Sequence, residues 1–357
     1  MLKKDTFLFF ALATIIILGL LILGSISFHD FPVFFSLKKQ LLFLVLGIIA
    51  FLFFSFVDWR IFTSSSLLLF LYLISLFSLI LLLVLGNRVR GAAGWFNFGI
   101  FSFQPLEIVK IILILLLAKY LSSRNLEIWQ FRHLVGSGFF VLLPMALVMA
   151  QPDLGGAMIL GAIWFGMVLV SGIRLKQIFI LMIVFLLAAA FIWFFVLKPY
   201  QKARIINFVY PQEDPLGAGY NREQALIAIG SGRIFGKGLG RGSQTQLKFL
   251  PLAKTDFIFA SLAEELGLVG VLILFVCFLI IFYRLTFWAN IFSYNFCRLF
   301  TIGFLVKILV ESFVNISMNL GLLPIVGIAL PFVSLGGSHF LANFIGLGII
   351  NSMIQRA

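Results

Sequence analysis

The stretch KFLPLAKTDFIFASLAEELG, residues 248–267, sets one aspartate, Asp256, and two adjacent glutamates, Glu264 and Glu265, at the entrance of an apolar run. A carboxylate at such a boundary can take a proton from an attacking hydroxyl, the work of a general base. Read as one helix, the segment sets Asp256 and Glu264 about 80° apart around the axis and ~12 Å apart along it, with Glu265 nearly opposite Asp256. Thr255 before Asp256 is also a good helix start, so Asp256 reads either as a cap or as a reactive acid. Glu264 and Glu265 read either as partners of a loop lysine or as part of the same polar face.

Two further apolar runs carry charge. In QPLEIVKI, Glu107 and Lys110 are three residues apart, on one helical face where they neutralise each other. The pair is either a structural ion pair or the wall of a polar cavity that meets a charged ligand. In VKILVESFVNISMN, Lys307, Glu311, Asn315 and Asn319 recur every four residues. Such a stripe is untenable against lipid and must face a neighbouring helix or an aqueous crevice. A Lys or Glu at mid-bilayer costs about 2.5–3.5 kcal/mol on insertion scales, so each needs a partner or a water-filled cavity.

The run IAIGSGRIFGKGLGRGSQ sets six glycines among Arg233, Lys237 and Arg241. Backbone this free disfavours a stable helix and exposes N–H groups that can surround an anion such as a phosphate. Ser231 and Gly238 depart from the P-loop pattern, and a flexible surface loop is the alternative. His29, His133 and His339 stand far apart, so no histidine-based metal site or Ser-His pair is expected.

The elements that must position these residues are membrane helices. Of 357 residues, 62% are hydrophobic and 11% charged, with a mean hydropathy of +1.16, which excludes an ordinary soluble domain. Apolar runs predict ten spans at 7–26, 40–57, 66–86, 104–121, 134–150, 154–170, 175–197, 256–282, 299–319 and 331–353. The first follows Lys3 and Lys4 but is longer than a signal peptide's apolar stretch and lacks an A-x-A site, so it reads as a retained anchor. The expected fold is an all-α integral membrane protein of about ten transmembrane helices, a single domain over 1–357. One large extracytoplasmic loop, 198–255, separates spans seven and eight, and function should concentrate there.

With the N-terminus inside, the inner ends carry Lys3, Lys4, Arg60, Lys119, Arg124, Arg132, Arg174, Lys176, Arg284, Arg298 and Arg356, whereas the short outer loops carry only Lys38, Lys39, Arg88 and Arg90. That bias places both termini in the cytoplasm. The net charge of +13 is scattered along membrane edges, which favours anionic lipid headgroups over nucleic acid as a partner. Cys277 and Cys297 form no C-x-x-C and read as small apolar residues.

The motifs QPLEIVK, QPDLGGAM, DPLGAGYNREQALIAIGSGRIFGKG, LPLAKTDFIFASLAEELGLVG and GLLPIVGIALPFVSLGGS, in that order and across most of the chain, resemble the SEDS family of shape, elongation, division and sporulation proteins. Compact length and short termini look most like its elongation branch rather than its division branch. The resemblance implies a ten-span peptidoglycan glycosyltransferase of the bacterial inner membrane, acting on lipid II, a disaccharide-peptide on a polyprenyl diphosphate. It assigns the key carboxylate to Asp256. Glu107 and Lys110, Asp153 in QPDLG, Arg204 before INFVYP, and Glu264 and Glu265 also match family positions. A class B penicillin-binding transpeptidase is implied as partner. Leu252, Lys254 and Leu106 depart from the family's usual Glu, His and Ser, which puts in doubt any role for that missing carboxylate and hydroxyl.

Lipid II polymerisation fits these residues. The acceptor's 4-hydroxyl attacks the donor's anomeric carbon, Asp256 takes the proton, and Arg233 and Lys237 steady the departing diphosphate. Glu107, Lys110, Asp153, Arg204, Glu264, Glu265, Lys307 and Glu311 complete the expected substrate-binding set, along which the growing glycan strand and lipid II would lie. One carboxylate gives no metal-ligand set, so no metal site is assigned, and a divalent cation, Mg2+ or Mn2+, bridging Asp256 and the diphosphate stays open. A lipid II flippase, the division-type paralogue and a scaffold for other wall enzymes are the competing readings.

Overall fold

The structure, a computed structural model, describes residues 5–28, 33–89, 92–98, 101–123, 131–196, 202, 206, 208 and 218–356. Ten of its helices coincide with the expected spans: α1 (Thr6–Ser27), α2 (Phe35–Phe56), α3 (Ser65–Leu85), α4 (Pro105–Ser122), α5 (Phe131–Ala150), α6 (Leu154–Val170), α7 (Leu175–Phe191), α10 (Ile258–Ile291), α11 (Asn295–Asn319) and α12 (Gly337–Arg356). Eight are long and apolar enough to cross a membrane. The other two are α6, which has 17 residues, and α4, which carries Glu107, Lys110 and Lys119. Among the described residues, the helices α8 (Ala218–Gly232) and α9 (Ser243–Gln246) lie between α7 and α10.

Helix periodicity divides protein from lipid. In α1, Leu8, Ala11, Leu12, Ile15, Leu18 and Ile22 are buried at spacings of three and four, while Phe7, Phe10, Ile17 and Leu21 are exposed. In a bilayer the exposed row meets acyl chains. The hub is α11, which packs against α4, α6, α10 and α12, while α12 lies along α2.

Asp5 and Arg356, the first and last described residues, sit at one face. Asp5 caps α1 by accepting from the Leu8 N–H at 3.1 Å and also accepts from Arg284 Nε at 2.8 Å, near the end of α10. Arg356 donates to the carbonyls of Val57 and Phe56 at 2.8 and 2.6 Å. Trp59, Tyr294 and Phe296 gather there too, as aromatic side chains do at membrane interfaces.

Three expectations need correcting. The last helix starts at Gly337, not 331, because the preceding residues fold as tight turns tied to Asp256 and its neighbours. Asp256 does not cap or enter α10: Phe257 is the residue before the helix, so Asp256 and Glu264 share no helical face. The 86–104 connection is not a plain short loop. It forms an antiparallel sheet in the order β1 (Asn87–Val89), β2 (Ala92–Phe98), β3 (Phe101–Phe103), with Asn97 opposite Ser102 and Phe96 opposite Phe103.

The glycine-rich run also departs from its expected role. Gly230 and Gly232 are helical, within α8. The N–H groups of Gly236, Lys237 and Gly238 are spent on the carbonyls of Gly232, Glu264 and Glu265. They are not left to surround an anion. The 34-residue helix α10 breaks at Gly267 (φ 66°, ψ −163°), and the chain at 233–238 enters the break. Leu268 and Val269 donate to the carbonyls of Arg233 and Ile234 at 2.9 and 3.1 Å. Backbone polar groups freed inside a membrane helix are thus paired within the protein.

A Cβ at Gly267 would collide with the backbone of Gly236 and Ile234, in a φ/ψ region only glycine occupies readily. Gly267→Ala is expected to destabilise by at least ~1–3 kcal/mol, whereas Gly230, which has open space around it, should gain about 0.5–1 kcal/mol when changed to Ala within its helix. Thermal unfolding in detergent checks the pair, and the opposite ranking would refute the account of the break.

Candidate active site

A cleft of about 390 Å³ lies where the sheet, α4, α6, α11 and the turns before α12 converge; Glu107, Lys110, Asp153, Asp256, Glu311 and His339 line it. Its volume falls within the ~300–1,000 Å³ of small-molecule sites.

The floor is a buried charge network. Lys110 Nζ lies 2.8 Å from Glu107 Oε1 and 2.6 Å from Glu311 Oε1. Lys307 Nζ donates to Glu311 Oε2 at 2.9 Å and to Asn343 Oδ1 at 2.6 Å, and His339 Nε2 sits 3.0 Å from Glu311 Oε2. Lys307 and Glu311 have no exposed surface, and Lys110 keeps 2%. Two carboxylates, Glu107 and Glu311, face two ammonium groups, Lys110 and Lys307, so their formal charges cancel. That balance permits the cluster to remain away from bulk water.

Asp256 is held by its backbone. Asn315 and Asn319, one and two turns beyond Glu311 on α11, donate from their Nδ2 atoms to the Asp256 carbonyl at 3.0 and 2.9 Å. Asn319 Oδ1 accepts the Ala260 N–H at 3.2 Å, and Ser334 Oγ donates to the Thr255 carbonyl at 2.7 Å. Residues 255–260 are therefore fixed through main-chain atoms while the Asp256 carboxylate reaches the cleft. Gly327 lies beside it: a Cβ there would stand 3.7 Å from Asp256 Oδ2. Asp153 caps α6, accepting the Gly156 N–H at 2.8 Å.

The cleft unites five of the expected residues besides Asp256 in one network or wall: Glu107, Lys110, Asp153, Glu311 directly, and Lys307 through Glu311. Arg233, Lys237, Glu264 and Glu265 do not line it. Glu264 is buried as the acceptor of Lys237 Nζ at 2.9 Å and of the Gln244 and Thr245 N–H groups at 2.9 and 3.0 Å. Glu265 accepts from Ser25 Oγ at 2.6 Å and Gln246 Nε2 at 2.8 Å. These two glutamates fasten the loop to α1 and α10, which leaves Lys237 with a structural counter-ion, and the Arg233 side chain is exposed elsewhere. Arg204 lies outside the described residues.

Sequence reasoning missed Lys39, His339 and Asn343, the sheet residues Trp95, Asn97 and Ser102, and Gln104 just past β3, all at the cleft or its network. His339 carried one signal, since it follows the GLLPIVGIALPFVSLGGS motif directly. Glu107, Glu311 and His339 bring ligand atoms within 4.8 Å of one another. They do not fit a resident divalent metal: both Glu311 oxygens already hold ammonium groups, and two more buried positive charges would remain uncompensated.

Fold and cleft together define a polytopic helical membrane protein with a carboxylate-bearing polar cavity. The model of the cell cycle protein family that comprises FtsW, RodA and SpoVE matches residues 5–357. Peptidoglycan glycosyltransferase MrdB of Escherichia coli K12 is 39% identical over 287 residues, 80% of this chain and 76% of its own. Stage V sporulation protein E of Bacillus subtilis is 36% identical over 323 residues, 89% of this chain and 86% of its own. Among solved structures, rod shape determining protein RodA of Thermus thermophilus superposes with a TM-score of 0.75 at 30% identity, covering 100% of this chain and 99% of its own. A chain of a peptidoglycan synthase complex that coordinates polymerization and crosslinking reaches 0.82 at 31% identity, covering 99% and 98%. The chain belongs to the SEDS family.

The network and the clamp predict different mutational costs. Glu311→Gln removes the charge shared by two buried ammonium groups and is expected to cost about 3–5 kcal/mol. Asp256→Asn keeps the backbone clamp and should stay within about 1 kcal/mol of wild type. Detergent melting curves test this, and equal losses would remove the distinction between scaffold and reactive acid.

Proposed function

We propose that this protein is a peptidoglycan glycosyltransferase that polymerises lipid II, with Asp256 as general base. One observation carries the reading: a carboxylate faces a saccharide-sized cleft while its own backbone is clamped by Asn315 and Asn319. The attacking group is the acceptor sugar's 4-hydroxyl. As its oxygen bonds to the donor's anomeric carbon, the proton passes to Asp256 and the bond to the lipid diphosphate breaks. One displacement converts an α-linked donor into a β-linked product without a covalent enzyme intermediate. The clamp fixes where the proton acceptor stands before substrate arrives, which is the positional component of catalysis.

The diphosphate needs a cation, and the cleft offers Lys39 at its wall. Lys39 takes the role first given to Arg233 and Lys237. The prenyl tail leaves toward the bilayer, between helices whose outer faces are apolar. Orientation follows from the face that holds the first and last described residues: Arg60, Arg284, Arg298 and Arg356 cluster near it, which supports a cytoplasmic assignment in the bacterial inner membrane and puts Asp256 on the opposite side. End-to-end likeness to RodA supports a part in cell elongation. Likeness to a chain of a complex coupling polymerization to crosslinking supports a class B penicillin-binding transpeptidase as partner.

In vesicles given labelled lipid II, wild-type protein should make polymer, and Asp256→Asn should lower the rate by at least ~10²-fold. Lys39→Met should weaken turnover by about tenfold, as expected for loss of one charge-assisted contact, and Arg233→Ala should leave it within about twofold. Translocation of lipid II without polymer would replace the enzyme by a flippase. Undiminished synthesis by Asp256→Asn would remove the acid from its role.

A further inference from the structure

The face of the β2–β3 ribbon that overlooks the cleft has a composition unlike the rest of the wall. Asn97 pairs with Ser102 across the ladder; continuing that register sets Trp95 beside Gln104. Side chains two apart on a strand share a face, and cross-strand partners share it too. All four of these residues line the cleft. The ribbon is anchored rather than loose, because the Gln104 N–H donates to Ser338 Oγ at 2.9 Å, at the start of α12. A glycine, Gly94, lies under the amide: its Cβ position would be 3.9 Å from Gln104 Nε2.

The four side chains bear no charge. The charged groups, Asp256, Asp153, Lys39, Lys110, Glu107 and Glu311, belong to the rest of the same cavity. Chemistry is thus divided: one wall suits a neutral, hydroxyl-rich body, the remainder suits an ionic, reacting end. An indole face packs against the C–H face of a pyranose through dispersion and the ring's negative π cloud. Carboxamides supply both a donor and an acceptor to ring hydroxyls and to an acetamido group, and a serine hydroxyl does both at once. A purely lipidic ligand would leave two amides and a hydroxyl unsatisfied, at a cost that selects against it.

We propose that the Trp95, Asn97, Ser102 and Gln104 face of the ribbon is a sugar-recognition platform that binds an N-acetylated pyranose of the substrate and sets it against Asp256. The inference rests on the glycosyltransferase reading for what occupies the cleft. It goes beyond that reading in naming which wall distinguishes a sugar-bearing lipid diphosphate from a bare one.

The test compares two ligands in detergent: lipid II, and a polyprenyl diphosphate carrying no sugar. Trp95→Ala should raise Kd for lipid II about tenfold, the value of a lost aromatic contact, and leave Kd for the bare diphosphate unchanged. Trp95→Phe, which keeps an aromatic face, should restore most of the affinity. Asn97→Ala provides a second variant whose side chain is exposed, so the fold loses no packing; a weaker shift of about threefold, again confined to lipid II, is expected. In polymerisation assays the effect of Trp95→Ala should appear in KM with kcat within about twofold. Equal weakening toward both ligands, or none toward either, would overturn the platform. Sugar-dependent binding by a wild-type protein that makes no polymer would sustain the platform and overturn the catalytic reading instead.

Discussion

Everything at the centre of this protein depends on neutralising charge where water is scarce. Glu311 joins α11 to α4 through Lys110 and approaches α12 through His339, while Lys307 ties the same carboxylate to Asn343. Helices in lipid gain little from hydrophobic burial against one another, so polar links and close packing decide which ones associate. A cluster whose charges cancel gives three helices a reason to meet at one point. The cavity exists beside that point because groups so polar are best tolerated where substrate or water can reach them.

From this centre α11 serves two purposes with one sequence period. Its Lys307 and Glu311 belong to the ionic floor, and its Asn315 and Asn319 reach the Asp256 carbonyl. The segment that carries the acid is thus held by bonds to its main chain, which keep it rigid and fix where the side chain begins.

Much of this was legible beforehand, for identifiable reasons. Each of the ten apolar runs coincides with a helix, eight of them long and apolar enough to cross a membrane, because long nonpolar runs have few other stable fates. The four-residue recurrence from Lys307 to Asn319 correctly demanded a buried polar face, and the Glu107–Lys110 spacing produced the ion pair that was expected. Tertiary facts were harder. Nothing local joins His339 to Glu311, 28 positions away, and isolated histidines carry no periodic signal. The sheet at 86–104 was hidden by its shortness, since three-residue strands such as β1 and β3 have no alternation to detect. The glycine-rich run misled for a better reason: glycine suits an anion cradle and close backbone contact equally well, and only the approach of Gly232 and Gly236 to α10 separates the two. Glu264 and Glu265 likewise look alike whether they bind a ligand or lock a loop, until their donors are known.

The discontinuity in α10 has a mechanical meaning. Below Gly267, the portion from Leu268 to Ile291 reaches the terminal face and is moored there to Asp5; above it, the shorter portion carries the Ala260 anchor and the loop latch of Glu264 and Glu265. The break divides one long span into a length that serves the membrane and a length that serves the loop and the cleft, and the chain at 233–238 bonds to both sides of it.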